Sequence, residues 1–167
     1  MKKLMFFVSM VAAIFAFSSC EKEAEINQII YDGTSYNVTP HLGYSANSSR
    51  YFLDVMYDST VSVRCDLFSV NLGKTYDLSK QAANDDFSLM FQFPETYISM
   101  ENHPDYFAGS VNDETYENES PFKSGKMSFA KNGDNFTFTI TGAELKNGKK
   151  LSVSLEITPA EFEEFNW

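Results

Sequence analysis

The sequence predicts an all-β protein, an antiparallel β-sandwich of about eight to ten strands with a short helix at its C-terminal end. From Ile26 onward the apolar residues alternate with polar ones, which is the period of a strand and not that of a helix. Asp-Gly and Asn-Gly pairs, which are typical of tight hairpin turns, interrupt this alternation. A lipocalin-like β-barrel is the alternative, because periodicity does not distinguish a closed sheet from two open ones.

Hairpins are predicted at both ends of the domain. Asp32-Gly33 joins apolar runs at 26–31 and 35–39, and both residues of this pair readily adopt a positive φ. Pro40 then ends the second run, because proline cannot donate to a ladder of backbone hydrogen bonds. The same turn chemistry predicts two hairpins near the C-terminus, at Asn132-Gly133 and Asn147-Gly148.

The middle of the chain supplies the predicted core. The most regular alternation places four apolar side chains on one face of a strand: Phe87, Leu89, Phe91 and Phe93. Cys65 lies on the apolar face of another alternating run, where we interpret it as a small buried residue. The alternation shifts by one residue near Leu67 and Phe68, which predicts a bulge or the end of a strand.

The last residues carry the signal of a helix. Thr158 is a predicted N-cap, Pro159 suits the first helical position, and Glu161 can return its side chain to the cap. Phe162 and Phe165 are three residues apart and would share one helical face. We therefore expect this helix, with Trp167, to cover an end or an open face of the sheet.

The first residues predict export and a lipid anchor. Lys2 and Lys3 precede a run of apolar and small residues at 4–17, and Phe17-Ser18-Ser19-Cys20 ends it. A run of this length is too short to span roughly 30 Å of hydrocarbon as a helix. We therefore expect a signal peptide at 1–19, an acylated tether at 20–25 that begins with a lipid on Cys20, and one domain at 26–167.

This leader resembles the signal of bacterial lipoproteins, with Phe17 where that family usually has leucine. The acidic cluster of Glu21, Glu23 and Glu25 is similar to the tether that directs Bacteroidota lipoproteins to the cell surface. The resemblance implies a protein held in the outer membrane by its lipid and exposed to the outside. Cleavage by a general signal peptidase, which would release a soluble periplasmic protein, is the alternative.

The domain also resembles small Bacteroidota surface lipoproteins that consist of a single β domain of unknown function. Three segments carry the resemblance: 30–36, with Ile30-Tyr31-Asp32-Gly33 and Tyr36; 72–78, Leu72-Gly73-Lys74-Thr75-Tyr76-Asp77-Leu78; and 124–149, with Ser124-Gly125-Lys126-Met127, Gly133 to Ile140 and Asn147-Gly148-Lys149. These motifs are typical of hairpin turns, so the resemblance implies an architecture and no catalytic residue.

Composition excludes several functions. The formal charge is −10 and becomes −12 when Lys2 and Lys3 leave with the signal peptide, which argues against a nucleic-acid partner. With Cys20 acylated, Cys65 has no partner for an intrachain disulfide. The sequence contains no motif for a metal, phosphate, nucleophile or cofactor, and we interpret His41 and His103 as loop residues.

The segment 94–121 is the predicted recognition surface. We predict that it is a long loop, and it contains seven acidic residues and no lysine or arginine. Aromatic rings can stack on sugars while carboxylates accept hydrogen bonds from hydroxyls. The tentative ligand-binding residues are Tyr97, Tyr106, Tyr116, Asp113 and Glu117. The alternative is that the aromatic residues pack into the core and the acids are solvated or face nearby lysines.

These observations predict a non-enzymatic surface lipoprotein that binds an extracellular glycan or protein. A small carbohydrate-active hydrolase and a structural subunit of an outer-membrane assembly are the alternatives. A calcium site at Asn112, Asp113, Glu117 or Glu119 is a weaker prediction, because the spacing matches no EF-hand loop. We expect no catalytic residue, cofactor or structural metal.

Overall fold

The computed structural model describes residues 23–80, 87–103, 106–112 and 114–165, and these residues form fourteen β-strands and no α-helix. The strands are β1 Gln28–Tyr31, β2 Thr34–Asn37, β3 Pro40–Ser45, β4 Arg50–Met56, β5 Ser62–Phe68, β6 Thr75–Asp77, β7 Phe87–Phe93, β8 Thr96–His103, β9 Tyr106–Val111, β10 Glu114–Glu117, β11 Phe122–Asn132, β12 Asn135–Leu145, β13 Lys150–Ile157 and β14 Phe162–Phe165. The number of strands exceeds the eight to ten that the sequence predicts.

The strands form two sheets, as in a β-sandwich. One sheet has six strands in the order β2-β1-β13-β12-β11-β6, and the other has eight in the order β10-β9-β8-β7-β5-β4-β3-β14. Neither sheet closes on itself, so the sandwich is confirmed and the lipocalin-like barrel is not adopted. The pairs are antiparallel except for β14, which runs parallel to β3.

The predicted hairpins are confirmed. Asp32 and Gly33 have φ values of 47° and 84°, and Tyr31 pairs with Thr34 across the turn. Two successive positive φ values match the right-handed twist of the flanking strands, which explains why this turn uses Asp-Gly. The Asn132-Gly133 and Asn147-Gly148 pairs lie where β11 joins β12 and where β12 joins β13, although Asn132 is the last paired residue of β11 and the first turn is Gly133-Asp134.

Aromatic contacts join the two sheets through the core. The Tyr31 ring on β1 stacks on Phe93 on β7, with centroids 4.0 Å apart and planes 7° apart. Tyr76 and Phe87 make a second inter-sheet contact at 5.0 Å. The predicted core face of β7 is buried, and Cys65 is fully buried, where loss of solvation raises the pKa of its thiol.

The prediction of a C-terminal helix is wrong. Residues Pro159–Glu161 form only a 3-10 turn, although Glu161 does accept hydrogen bonds from the backbone N–H and the hydroxyl of Thr158, at 2.7 and 2.8 Å. The chain then becomes strand β14, and the Phe162 ring stacks on Phe136 at 5.3 Å. A helix this short has few internal hydrogen bonds, whereas an edge strand pairs its backbone with β3 and also buries Phe162. Trp167 lies outside the described residues.

The interpretation of 94–121 as a loop is also wrong. This segment contains β8, β9 and β10, which continue the eight-stranded sheet to its edge. The pattern that reveals them is the alternation of buried Thr96, Ile98 and Met100 in β8. His41 and His103 are likewise strand residues, in β3 and at the end of β8.

Candidate functional site

The eight-stranded sheet has one face toward the core and one away from it. We call the second the eight-stranded outer face. Buried residues such as Leu53, Cys65 and Leu89 define the inner face, and their sequence neighbours point outward. Residues that pair across neighbouring strands form rows on this face. The first row is Met56, Ser62, Gln92 and Tyr97. The second is His41, Asp54, Arg64, Met90, Ser99 and Ser110, and the third is Gly43, Phe52, Asp66, Ser88, Glu101 and Ala108.

The first of these rows carries large exposed apolar side chains. Met56 is 63% exposed and Tyr97 is 40% exposed, at opposite ends of the row. Tyr57, at 52%, follows Met56 where the chain turns into β5. Residues of this kind lose no core contacts when they bind a partner, so this end of the sheet offers apolar surface for recognition.

Tyr97 borders an open depression of about 400 Å³ at the end of β7 and β8. Gln92 lies directly opposite Tyr97 across the two strands. Asn112, which follows β9, donates its backbone N–H to the Tyr97 carbonyl oxygen at 3.1 Å. We call this the Tyr97 depression; its lining is Gln92, Phe93, Glu95, Thr96, Tyr97 and Asn112.

Two buried residues, Phe93 and Thr96, form the floor of the Tyr97 depression. The Tyr31 hydroxyl donates a buried hydrogen bond of 2.8 Å to Thr96 Oγ1, and the same ring is stacked on Phe93. Both floor residues therefore belong to the contact between the two sheets. The base of the depression is thus part of the packed core, whereas Gln92, Glu95 and Asn112 are exposed around it.

The chemistry of the Tyr97 depression suits a polyhydroxylated ligand. An aromatic face can stack on the apolar face of a sugar ring. The amides of Gln92 and Asn112 can donate and accept hydrogen bonds, and the Glu95 carboxylate accepts them. A few polar groups around one aromatic ring can therefore orient a ligand as well as hold it.

The centre of the eight-stranded outer face carries alternating charges. Arg64 lies across from Asp54, with Nη2 3.5 Å from Oδ2. Partial burial raises the pKa of Asp66, although Arg50, Arg64 and a hydrogen bond with Ser88 oppose the shift. Arg50 also stacks on Phe68, with its guanidinium carbon 4.1 Å from the ring centroid.

A second open depression, of about 430 Å³, lies on the same face where Gly43 leaves space between β14 and β4. Phe52, Asp54 and Glu163 are among its lining residues. Asp54 Oδ1 is buried there without a hydrogen-bond partner among the described residues. No local motif in the sequence marks this second depression, although strand alternation places His41 and Asp54 on one face.

The residues predicted to bind a ligand do not form a single site. Tyr97 is on the eight-stranded outer face, but Tyr116 is on the inner side of edge strand β10 and packs against the core. Its hydroxyl donates to Glu114 at 2.7 Å, and Lys146 Nζ lies 4.0 Å from its ring centroid.

Glu117 faces outward two rows from Tyr97, roughly 13 Å along the strands. The Tyr106 side chain and Asp113 lie outside what the structure describes.

The predicted calcium site gains no support. Lys146 forms an ion pair with Glu119, and its hydrogen bond lowers the pKa of that carboxyl group. In the described part of the chain, no three His, Cys, Asp or Glu side chains gather as metal ligands would. A ligand set that is open and partly neutralised by lysine binds calcium poorly.

Within the described residues, no helix is long and apolar enough to cross a membrane. Comparison of the chain with protein-family models, with curated proteins and with solved structures finds no match.

Proposed function

We propose that this protein is a lipid-anchored module of the outer cell surface that binds an extracellular glycan in the Tyr97 depression without catalysing a reaction. The observation that carries the proposal is the exposed Tyr97 ring beside Gln92, Glu95 and Asn112. The leader and Cys20 support the lipid anchor, as argued from the sequence.

The number of carboxylates favours binding over hydrolysis at this position. Glycoside hydrolases use two carboxyl groups separated by about 5 to 10 Å across the bond that is cleaved. Among the described lining residues of the Tyr97 depression, Glu95 is the one carboxylate. The site therefore has the aromatic and amide groups of a sugar-binding surface and half of what acid-base hydrolysis requires.

An extracellular protein is the second candidate partner. Met56 is exposed beside Tyr57, and further along the same face Phe52, Phe68 and Met90 are half-buried next to Arg50 and Arg64. Methionine, aromatic residues and arginine are enriched where proteins bind one another. This partner would cover the middle of the face, whereas a glycan would occupy its end.

The test compares two tyrosines on opposite faces of the same sheet. The folded domain is screened against immobilised glycans, and the affinity for the best ligand is measured by calorimetry for Tyr97→Ala and Tyr116→Ala. Tyr97→Ala should weaken binding about tenfold, which is the value of one ring contact, and leave the melting temperature unchanged. Tyr116→Ala should bind normally but lose about 1 to 2 kcal/mol of stability, because its ring packs on the core and under Lys146.

Two further variants define the chemistry. Tyr97→Phe should retain affinity if stacking dominates, and Gln92→Ala should weaken binding without unfolding the domain. Normal binding by Tyr97→Ala would move the site elsewhere. Loss of glycan binding only when Arg64 or Met90 is replaced would place the glycan site on the middle of the face.

A further inference from the structure

The N-terminal segment leaves the domain from the middle of the six-stranded sheet. The backbone N–H of Ala24 donates to Ser152 Oγ at 3.2 Å, and that of Glu25 donates to Gln28 Oε1 at 3.3 Å. Ser152 lies between inward-facing Leu151 and Val153 on β13, so it points away from the core. Strand β13 is third of the six. The chain therefore meets this sheet near the centre of its outward side, which we call the six-stranded outer face.

Covalent geometry limits where a lipid on Cys20 can lie. Three residues separate Cys20 from Ala24, and the four Cα-to-Cα steps between them span at most about 14 Å when fully extended. The nearest edge of the sheet, β2, is two strands from β13, or about 10 Å, and the opposite sheet is about 10 Å further. A path of about 20 Å around the edge exceeds the reach of the tether. The acyl chains therefore cannot draw the eight-stranded outer face to the membrane.

The six-stranded outer face has a surface suited to lipid headgroups. One row crosses the entire sheet without a charged side chain: Asn37, Gln28, Ser154, Thr139, Ser128 and Thr75. Gln28 is buried within this row and donates to Asn37, so the other five residues supply the accessible polar groups. Hydroxyl and amide groups can donate to phosphate and ester oxygens. Neighbouring rows of the same face carry Glu156, Lys126 and Asp77, so the uncharged row is the part of the face that meets no repulsion at an anionic surface.

We propose that the six-stranded outer face lies against the headgroups of the membrane that holds Cys20, so that the Tyr97 depression is presented outward. The inference rests on the lipid anchor of the proposed function. Individual contacts of hydroxyl groups with headgroups are weak, but a short tether gives them an effective concentration in the millimolar range. The anchor thus orients the domain in addition to retaining it.

The test measures the distance of each face from the membrane. The chain from residue 21 is joined at its N-terminus to a synthetic lipopeptide that takes the place of Cys20, and the product is inserted into phosphatidylcholine vesicles with headgroup spin labels. Matched Ser128→Cys and Ser110→Cys variants carry a fluorophore; both serines are half-buried strand residues, one on each outer face. The fully buried Cys65 leaves the introduced thiol as the reactive one in the folded domain.

The label at position 128 should be quenched several-fold more than the label at position 110. A flexible Gly/Ser insertion of about 12 residues before Glu23, with a reach of roughly 19 Å, should reduce this contrast. Equal quenching with the native tether, or stronger quenching at position 110, would overturn the inference. Because the anchor is synthetic, this result is independent of whether cells acylate Cys20, which fatty-acid labelling of the natural protein decides.

Discussion

Tyr31 and Thr96 are joined by a buried hydrogen bond that connects the two sheets of the sandwich. The Tyr31 hydroxyl on β1 lies 2.8 Å from Thr96 Oγ1 on β8. Thr96 also lines the Tyr97 depression. The packing of the two sheets and the shape of the candidate site are therefore linked through one pair of residues.

Removing this hydrogen bond should destabilise the domain. We expect Tyr31→Phe to cost about 1 to 2 kcal/mol in urea denaturation, because it leaves the buried Thr96 hydroxyl without its donor. Thr96→Val in the Tyr31→Phe background should cost less than Thr96→Val in the wild type. Strictly additive losses would show that the two hydroxyls are not coupled.

The strand phase of β7 predicts a sharp contrast between adjacent residues. Phe91 is fully buried between Val63 and Ile98 on the neighbouring strands, so Phe91→Ala should cost about 3 to 5 kcal/mol. Gln92 points outward, and Gln92→Ala should cost less than about 0.5 kcal/mol. Similar shifts of the denaturation midpoint at the two positions would contradict the assigned register.

Stability should depend on pH through Asp66. Because burial raises its pKa above the ordinary value of 3.8, the folded state binds this proton more tightly than the unfolded chain does. The resulting stabilisation is complete below the unfolded pKa and is lost as pH rises through the folded pKa. Asp66→Asn should therefore raise the melting temperature relative to wild type at neutral pH, and this gain should shrink toward about pH 3.5.

Asp77→Asn is the control, because its effect on stability should change with pH in the opposite direction. A hydrogen bond from the Ser79 hydroxyl lowers the pKa of Asp77, so its contribution is present above the unfolded pKa and is lost on acidification. This variant should be less stable than wild type at neutral pH and approach it in acid. If the stability difference from wild type changed with pH in the same direction for both variants, burial would not be the cause of the pH dependence at Asp66.

The proposed lipid anchor predicts that replacing Cys20 changes localisation. Cys20→Ala should abolish incorporation of labelled fatty acid and release the protein from membranes, because the proposed acyl chains would no longer hold it there. Fractionation of cells and metabolic labelling measure both effects. Membrane retention of Cys20→Ala equal to that of the wild type would rule out acylation at this position.

The sequence alone predicted the class of fold and the positions of its clearest turns. Alternation at Phe87 to Phe93 and the Asp-Gly and Asn-Gly pairs are local signals, because strand period and turn geometry depend on neighbouring residues. At the C-terminus, a local signal, the helix cap, led to a wrong prediction of a helix. The capping interaction of Thr158 and Glu161 forms, yet pairing with β3 decides that the following residues are a strand.

The tertiary structure decided which residues share a surface. In the sequence, Tyr97 and Tyr116 belong to one acidic and aromatic segment, but strand parity places them on opposite sides of the same sheet. Tyr31, Thr96 and Phe93 are distant in sequence and meet only because the two sheets pack face to face. Similarly, the contact of Ala24 with Ser152 determines which face of the sandwich the N-terminal segment lies on. Local patterns specify elements, whereas a site depends on contacts between residues far apart in the chain.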